Sequence, residues 1–460
     1  MALCTSNVTS GFIDLATFDE IEKYLYGGSD ATAYFVRETR KSTWFTQVPV
    51  VLSRAAGSPA FGQEWSVAIS RAGDYMLQTW LRLTLPNVQL LSTNQAGQNG
   101  RIRWTRNLMH NLIRECCITF NDLVAARFDN FQLDFWSAFT TPASKRQGYA
   151  NMIGNIPPLT QLVPQGQPGL PVRILNLPLP FFYSRDSGVA LPTAALPYNE
   201  MRINFAFRDW DQLLVLQDIS AATEQRRVIN VGTDIAAAPV LGNTQVWANY
   251  AIVSNDERKR MACAPRDILI EQVQTAPRQS YTPNTNPQQS FDIRFSHAIK
   301  VLFFAVRNTT WRSEWSNYMT ASPVAQGGNL TFTPALSADP INLTSLIYEN
   351  TNRLAQMGSD YFMLVNPYFA APTIPQETGY HMYSYSLDFI CLDPMGSTNY
   401  GKLTNVSIVP EASTQAVTAA NGGGAAFSGA NYAQTYEFII TAVNNNIIRI
   451  SGGALGFPVL

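Results

Sequence analysis

From Tyr75 to Leu85 the chain reads YMLQTWLRLTL, with Tyr75, Leu77, Leu81, Leu83 and Leu85 on one parity and Gln78, Arg82 and Thr84 on the other. Successive side chains of a β-strand point to opposite faces. A period of two over this length therefore predicts a strand with one face buried and one face wet. The pattern recurs. Met201, Ile203, Phe205 and Phe207 alternate with Arg202, Asn204 and Ala206; Phe291, Ile293 and Phe295 alternate with Asp292 and Arg294. Tyr383, Tyr385, Leu387 and Phe389 alternate with Ser384, Ser386 and Asp388, and Tyr436, Phe438 and Ile440 close the series. Many short half-buried strands separated by turns predict antiparallel sandwiches, not a nucleotide-binding α/β sheet.

Three segments carry a helical period instead. Over Asp14–Tyr26, Thr17 and Glu20 have capping-box spacing, Phe18, Ile21 and Leu25 share a face, and Gly27-Gly28 ends the run. Asp122 as N-cap, followed by Val124, Phe128, Phe131, Phe135 and Phe139, predicts a second helix that Pro142 stops. In the second half, Leu354, Met357 and Tyr361 after Thr351 predict a third, roughly fifty residues beyond a strand at Ile299–Val306; Tyr75 stands at a similar distance ahead of Asp122, as in two copies of one unit. Asn155–Pro171, NIPPLTQLVPQGQPGLP, is expected to be a long exposed loop, and Ala412–Ala430, with three successive glycines, a flexible one. Arg208–Gly242 turns polar and alanine-rich and reads as a seam. The division that follows is a helical arm over 1–30, a first β-domain over 31–215, a linker over 216–242 and a second β-domain over 243–460.

Length agrees, since 460 residues exceed one ordinary core. The net charge of −1 removes a global electrostatic case for nucleic acid. Charged residues are 14% of the chain, against about 25% for a typical soluble domain, while aromatic residues are 12%. Surfaces destined for contact lose charge and gain Tyr, Trp and Phe, so much of this exterior is expected to end against another molecule. Cys4, Cys116, Cys117, Cys263 and Cys391 are odd in number and two are adjacent, which suits a reducing compartment rather than a disulfide framework. No basic-then-apolar leader opens the chain, and its longest apolar run, Val301–Val306, is too short to span a bilayer, so any membrane is touched without being crossed.

Candidate chemistry is sparse. The three histidines are His110, His297 and His381; His110 with Cys116 and Cys117 is the nearest thing to a metal cluster, but paired C-x2-C or H-x3-H spacing is missing, and buried strand thiols are expected. Ser187 beside Asp186 lacks the G-x-S-x-G elbow. Asp360, Glu377, Asp388 and Asp393 are scattered carboxylates from which a glycosidase pair could be drawn only in space. Glu257-Arg258-Lys259-Arg260 reads as a solvated or salt-bridged face. RIRWTR, Arg101–Arg106, places Arg101 and Arg103 opposite Ile102 and Trp104; it is expected to lend Arg and Trp to a neighbouring subunit, with nucleic-acid contact as the alternative. Sequons at Asn7, Asn308, Asn329, Asn342 and Asn405 are no more than chance supplies. No catalytic, cofactor-binding or metal-ligating residue is assigned.

Six phrases add a resemblance: SGFIDLATFDEIEKYLYGG, YFVRETRKSTWFTQVPV, FNDLVAARFDNFQLDFW, SRDSGVALPTAALPYNEMRINF, DPMGSTNYGKLTNVSIVP and NNNIIRISGGALGFPVL. Together, from near residue 10 to the last residue, they resemble the iridovirus major capsid protein family, in its invertebrate branch. The resemblance implies an all-β double jelly roll, two tandem eight-stranded antiparallel sandwiches with short helices in the connections. It implies homotrimers of pseudo-hexagonal outline tiling an icosahedral shell around an internal membrane and a DNA core. The implied partners are other copies, minor capsid proteins and the inner membrane surface, without direct nucleic-acid contact. No catalytic residue or cofactor is carried over, and the implied location is the virion, assembled in the host cytoplasm. On this reading the two long loops form outer towers or trimer contacts, and the N-terminal arm docks on the subunit base or on neighbouring shell proteins. A carbohydrate-binding or glycan-hydrolysing β-sandwich is the competing function.

Overall fold

The structure, a computed structural model, describes residues 2–22, 41–166, 168–219, 226–310, 312–320, 324–326, 329–331, 339–422 and 433–458. It divides into two units, Met1–Trp44 and Phe45–Leu460.

In the first unit the helix expected over Asp14–Tyr26 is displaced. A helix runs Ala2–Ala16 and stops where the Thr17 hydroxyl donates to the Asp14 carbonyl at 2.6 Å. A new helical turn opens at Glu20, whose amide donates to the Asp19 carboxylate at 2.7 Å. Both side-chain oxygens satisfy backbone groups that a continuous helix would use, so the chain breaks between them. Residues 23–26 of that call lie outside the described residues.

The second unit repeats one plan. Its first half lays down Phe45–Val51 (β1), Glu64–Ala68 (β2), Tyr75–Leu85 (β3), Ile113–Phe120 (β4), Leu123–Phe128 (β5), Arg173–Pro178 (β6), Met201–Phe207 (β7) and Gly242–Val253 (β8). These pair as β1-β8-β3-β6 and β2-β7-β4-β5. The second half lays down Arg266–Thr275 (β9), Phe291–Asp292 (β10), Ala298–Asn308 (β11), Ile341–Tyr348 (β12), Thr351–Gly358 (β13), His381–Ser384 (β14), Val406–Ala412 (β15) and Tyr436–Ser451 (β16), paired as β9-β16-β11-β14 and β10-β15-β12-β13. Adding eight to each label of the first half gives the second, and every pairing is antiparallel. This is the double jelly roll: two sandwiches, each closed by a last strand that returns beside the first. The period of two is realised most cleanly in β7, where Met201, Ile203, Phe205 and Phe207 are buried and the residues between them are half-buried.

That return moves the seam. The linker expected over 216–242, with the second domain beginning at 243, does not separate the sandwiches. Leu214–Asp218 pairs with Gly100–Trp104 in an accessory sheet, and β8 lies between β1 and β3. The polar stretch is a connection inside the first jelly roll. The chain crosses between halves at the Asn255–Cys263 helix, where Arg258 Nε donates to buried Asp74 at 2.7 Å, the salt-bridged reading of the basic run.

Both remaining helix expectations are corrected by hairpins. Asn121 and Asp122 have φ of 49° and 66°, and Glu349 and Asn350 have φ of 47° and 63°. Two successive positive φ values make a type I′ turn, which closes β4 onto β5 and β12 onto β13 at corresponding places. Val124 and Phe128 are therefore strand residues. The helix begins at Asn130, with the Asp129 carboxylate accepting from the Gln132 amide at 2.9 Å, and runs to Thr140; Pro142 then caps a further helix, Ala143–Ile153. Leu354 and Met357 also lie in a strand. Their spacing of three keeps both toward the core because a bulge at Gln356, φ 42°, sets two residues opposite Ser345. Helix starts only at Ser359, directly after the strand.

Three other expectations shift. Asn155–Pro171 includes a helical turn, Pro157–Thr160, and buries Leu159 and Leu170. Thr414–Ala420 is a helix capped by Ser413, with Ala416 and Ala419 buried; residues 423–430 of that loop lie outside the described residues. The strand expected over 383–389 ends at Ser384, because the Ser384 hydroxyl donates to the Ser386 carbonyl and that of Ser386 to the Asp388 carbonyl, turning the chain and leaving Leu387 exposed.

Strand β1 is a sheet edge that is exposed along most of its length. The Leu52 amide donates inward to the Val246 carbonyl, so by alternation the amides of Gln47 and Val51 point outward, and Pro49 interrupts that row. Pro49→Val is expected to complete an open edge and to produce aggregates heavier than the parent's assembly in sedimentation; an unchanged profile would show that the edge is protected by other means.

Candidate functional site

The stretch of residues that couples the two jelly rolls holds the most concentrated chemistry of the molecule. Phe131, Phe135 and Phe139 recur every four residues along the Asn130–Thr140 helix and are all under 2% exposed. They lie on the outward face of β11 and β16 with Val301, Phe303 and Val443; the Phe135 and Phe303 rings stack with centroids 5.9 Å apart.

Asp134 sits within that stripe and is also buried. Its Oδ1 faces His110 Nδ1 at 2.8 Å and Asn107 Nδ2 at 3.3 Å; its Oδ2 accepts from the Ser316 and Tyr318 hydroxyls, both at 2.8 Å. A carboxylate out of water needs donors to offset its lost hydration, and two of these come from each jelly roll. With Nδ1 donating to Asp134, His110 Nε2 accepts from the Tyr149 hydroxyl. Burial, with Asp134 close by, pushes the Tyr318 phenol well above its ordinary range and keeps it a donor.

Ion pairs surround this hub; their carboxylates Glu314 and Glu271 are buried, and Glu377 is half-exposed. Arg103 pairs with Glu314 and Arg106 with Glu377, each from one half to the other. Burial pulls the Arg106 guanidinium down, but Glu377 and the groups around it outweigh this and hold it above the usual value. Glu271 accepts from Lys300 at 2.6 Å and lies 3.3 Å from Arg185, whose guanidinium stacks 3.7 Å over Trp136. Arg208 lies 3.8 Å over Trp315 and donates to Asn130 and to the Asn111 carbonyl; burial pushes it down to about 9. The arrangement fastens two sandwiches rigidly together and leaves its polar groups turned inward.

The RIRWTR strand is thereby reassigned. Arg103, Ile102 and Trp104 are all buried, Arg103 and Arg106 bind carboxylates of the same chain's second half, and Arg101 donates to the Gln98 and Gly100 carbonyls. Neither a neighbouring subunit nor nucleic acid can reach this Arg–Trp face. His110 is drawn to Asp134 rather than to Cys116 and Cys117. The Cys116 thiol is fully buried, and burial pushes it well above its ordinary range; half-buried Cys117 faces Asn204. Among the described residues, no group of three or more His, Cys, Asp or Glu is placed to hold a metal ion.

Ser187 is exposed in a 3-10 turn beside Asp186. The histidine contacts run instead to Asp134 and Tyr149, and to Ser359 and Asp339. This last group, Ser359–His381–Asp339, has the residue types of a hydrolase triad without its geometry. Both oxygens approach Nε2, at 2.7 Å each, while buried Nδ1 has no partner among the described residues, so the carboxylate does not orient the ring for proton transfer from serine. Of the four scattered carboxylates, Glu377 is taken by Arg106, Asp388 accepts from the Ile390 amide, and Asp360 and Asp393 are exposed. The glycan-hydrolase alternative gains no support.

Asp134 and the outward-facing Trp80 were legible but unread. A carboxylate amid an apolar helical stripe signals a buried polar hub, and Trp80 shares the parity of Gln78 and Arg82, which marks an aromatic on a wet face.

Comparison with known proteins agrees over the whole length. Residues 33–253 match the family described as major capsid protein N-terminus, and residues 257–456 match the large eukaryotic DNA virus major capsid protein family. The boundary between these matches falls where the chain crosses between the sandwiches. The major capsid protein of Costelytra zealandica iridescent virus is 70% identical over 464 residues, covering 100% of both chains; that of Invertebrate iridescent virus 6 is 68% identical over 469 residues, again covering 100% of both. A chain of the PBCV-1 virus capsid superposes with a TM-score of 0.73, covering 93% of this chain and 100% of its own, at 22% identity, which speaks to the fold alone. The double jelly roll, the matched families and these full-length relatives together place the chain in the iridovirus major capsid protein family, as a structural component of the virion's capsid.

Proposed function

We propose that three copies of the chain associate into a capsomer of pseudo-hexagonal outline and that such capsomers tile the faces of an icosahedral shell. The observation that carries this reading is the exact repetition of strand order within one chain, so that three chains about a threefold axis supply six like-built sandwiches. The low charge fits surface buried twice, once within the trimer and again between trimers. The assembling body is residues 45–460, divided internally at the Asn255–Cys263 helix, and the Ala2–Ala16 helix belongs to an arm ahead of it. The role requires no catalytic step. Cys116, Cys117, Cys263 and Cys391 are unpaired, which fits assembly in the reducing host cytoplasm. No described helix is long and apolar enough to cross a membrane.

Light scattering on purified protein should report three times the 51.0 kDa chain mass, and projection images a hexagonal outline. A stable monomer at micromolar concentration would overturn the reading. The arm is expected to dock on the subunit base or on other shell proteins: Val8, Phe12 and Leu15 recur along one face of its helix and are exposed. Deleting residues 1–28 should leave trimers intact and block particle assembly. Normal particles from the truncated protein would end that idea.

A further inference from the structure

The two jelly rolls use equivalent connections differently. In the first, the β5–β6 connection carries the Asn130–Thr140 helix, whose phenylalanine stripe covers the outward face of β9-β16-β11-β14. In the second, the β13–β14 connection carries the Tyr361–Val365 π-turn and the Asn366–Ala370 helix. Phe362 is buried in the second core, but four large apolar residues are bare: Leu364 is 48% exposed, Val365 41%, Tyr368 71% and Phe369 78%.

The sheet face equivalent to the covered one is also bare. Strand pairing aligns Val51 with Trp247, Trp247 with Trp80 and Trp80 with Pro178. All four point away from the core, since their neighbours Val246, Ala248 and Leu81 point into it. They form one apolar row across β1, β8, β3 and β6. The Trp80 and Trp247 rings stack at 6.3 Å and 10°, neither is fully buried, and Val51 is 40% exposed. Pro178 continues the row into a mostly apolar groove beside Trp136 and Met152.

We propose that the Tyr361–Ala370 segment of one copy docks on the Trp80–Trp247 row of the next, repeating between chains the contact that the Asn130–Thr140 helix makes within the chain. The occupant is a second copy because this chain already contains the formed version of the contact, and the two unfilled faces are its missing halves. Clustered aromatic residues at the centre of such a face are what a stable protein contact uses. The contact is head-to-tail: each chain offers one helix and one sheet face. Such contacts close into rings when the rotation permits, and alternation of the internal and external versions around six sandwiches closes after three chains. The inference rests on the trimeric reading above and names its interface.

The test uses Phe369→Glu and Trp80→Glu in the full chain, with mass read by light scattering. Each variant is expected to fall from three times the chain mass to the chain mass, with the parent's near-ultraviolet circular dichroism retained. Should Trp80→Glu fail to fold, Val51→Lys on the same row replaces it. Mixing the two monomeric variants should yield 1:1 pairs of twice the chain mass and nothing larger, since each retains the face that the other lacks. Variants that still form trimers would overturn this interface while leaving the trimeric reading intact, and monomers that do not pair on mixing would overturn the head-to-tail arrangement. A monomeric parent would instead defeat the trimeric reading itself.

Discussion

Glu271→Ala is expected to lower the stability of the subunit by about 3–5 kcal/mol, the cost of removing one partner from a buried ion pair. Lys300 and Glu271 side chains are 0% and 1% exposed, and Arg185 beside them 12%. Lys300 Nζ donates to Glu271 Oε1 and, at 2.8 Å, to the Cys391 carbonyl. Burial pulls the Arg185 guanidinium below its ordinary value, with Glu271 opposing that pull. Without the carboxylate, two cations from different jelly rolls face each other out of water. The unfolding midpoint in urea should drop accordingly, and Glu271→Gln, which keeps the volume but not the charge, should also lose most of it. Replacing both Glu271 and Lys300 by apolar residues of similar size should cost less than Glu271→Ala alone, because no lysine is then stranded. A Glu271→Ala subunit with the parent's midpoint would mean that the Glu271 carboxylate does not hold Arg185 of the first jelly roll to Lys300 of the second.

Phe135→Ala is expected to cost about 3–5 kcal/mol as well, by a different route. The ring is 0% exposed, stacked on Phe303, and within 5.8 Å of the Tyr318 ring and 6.0 Å of the Tyr380 ring, so truncation leaves a cavity between the helix and the sheet it covers. The comparison residue is Phe369, on the equivalent connection of the second jelly roll but 78% exposed. In the isolated subunit Phe369→Ala should change stability by no more than about 0.5 kcal/mol. Denaturant titration of the two variants side by side separates the contact within the chain from the one proposed between chains. Equal losses at both positions would show that exposure does not distinguish them.

The sequence and the structure agree where information is local. In β7, and in β3 from Leu81 to Leu85, the phase of alternation names the buried face, and the structure buries those residues. At the start of β3 a register shift opposite Ala248–Tyr250 turns Met76 into the core and leaves Tyr75 and Leu77 packed with Ala190 and Ala251. They part where a local pattern has two physical realisations. Leu354 and Met357, three apart, suit one face of a helix, but a bulge with Gln356 at positive φ brings the same spacing to one face of a strand. Asp122 is a good N-cap residue and equally a residue that tolerates the left-handed region; beside Asn121 it became a hairpin turn, and the cap passed to Asp129. Neither pair is the Asn-Gly that announces such turns. In the RIRWTR strand, alternation placed Arg101 and Arg103 together, yet Arg103 is sealed against a carboxylate more than two hundred residues away.

Periodicity, turn residues and low charge were enough, from the amino acids alone, for an all-β chain of sandwiches with an interaction-rich surface, because each depends on neighbours within a few residues; that there are two of them was implied by the family resemblance. Only the tertiary structure decided that Gly242–Val253 closes the first sandwich instead of opening the second, that Asp134 holds both halves, and that Phe135 is buried while Phe369 is bare. Hydrophobic patterning says which face of an element shuns water. Which surface comes to cover it depends on pairings between residues far apart in the chain, and no local pattern encodes those.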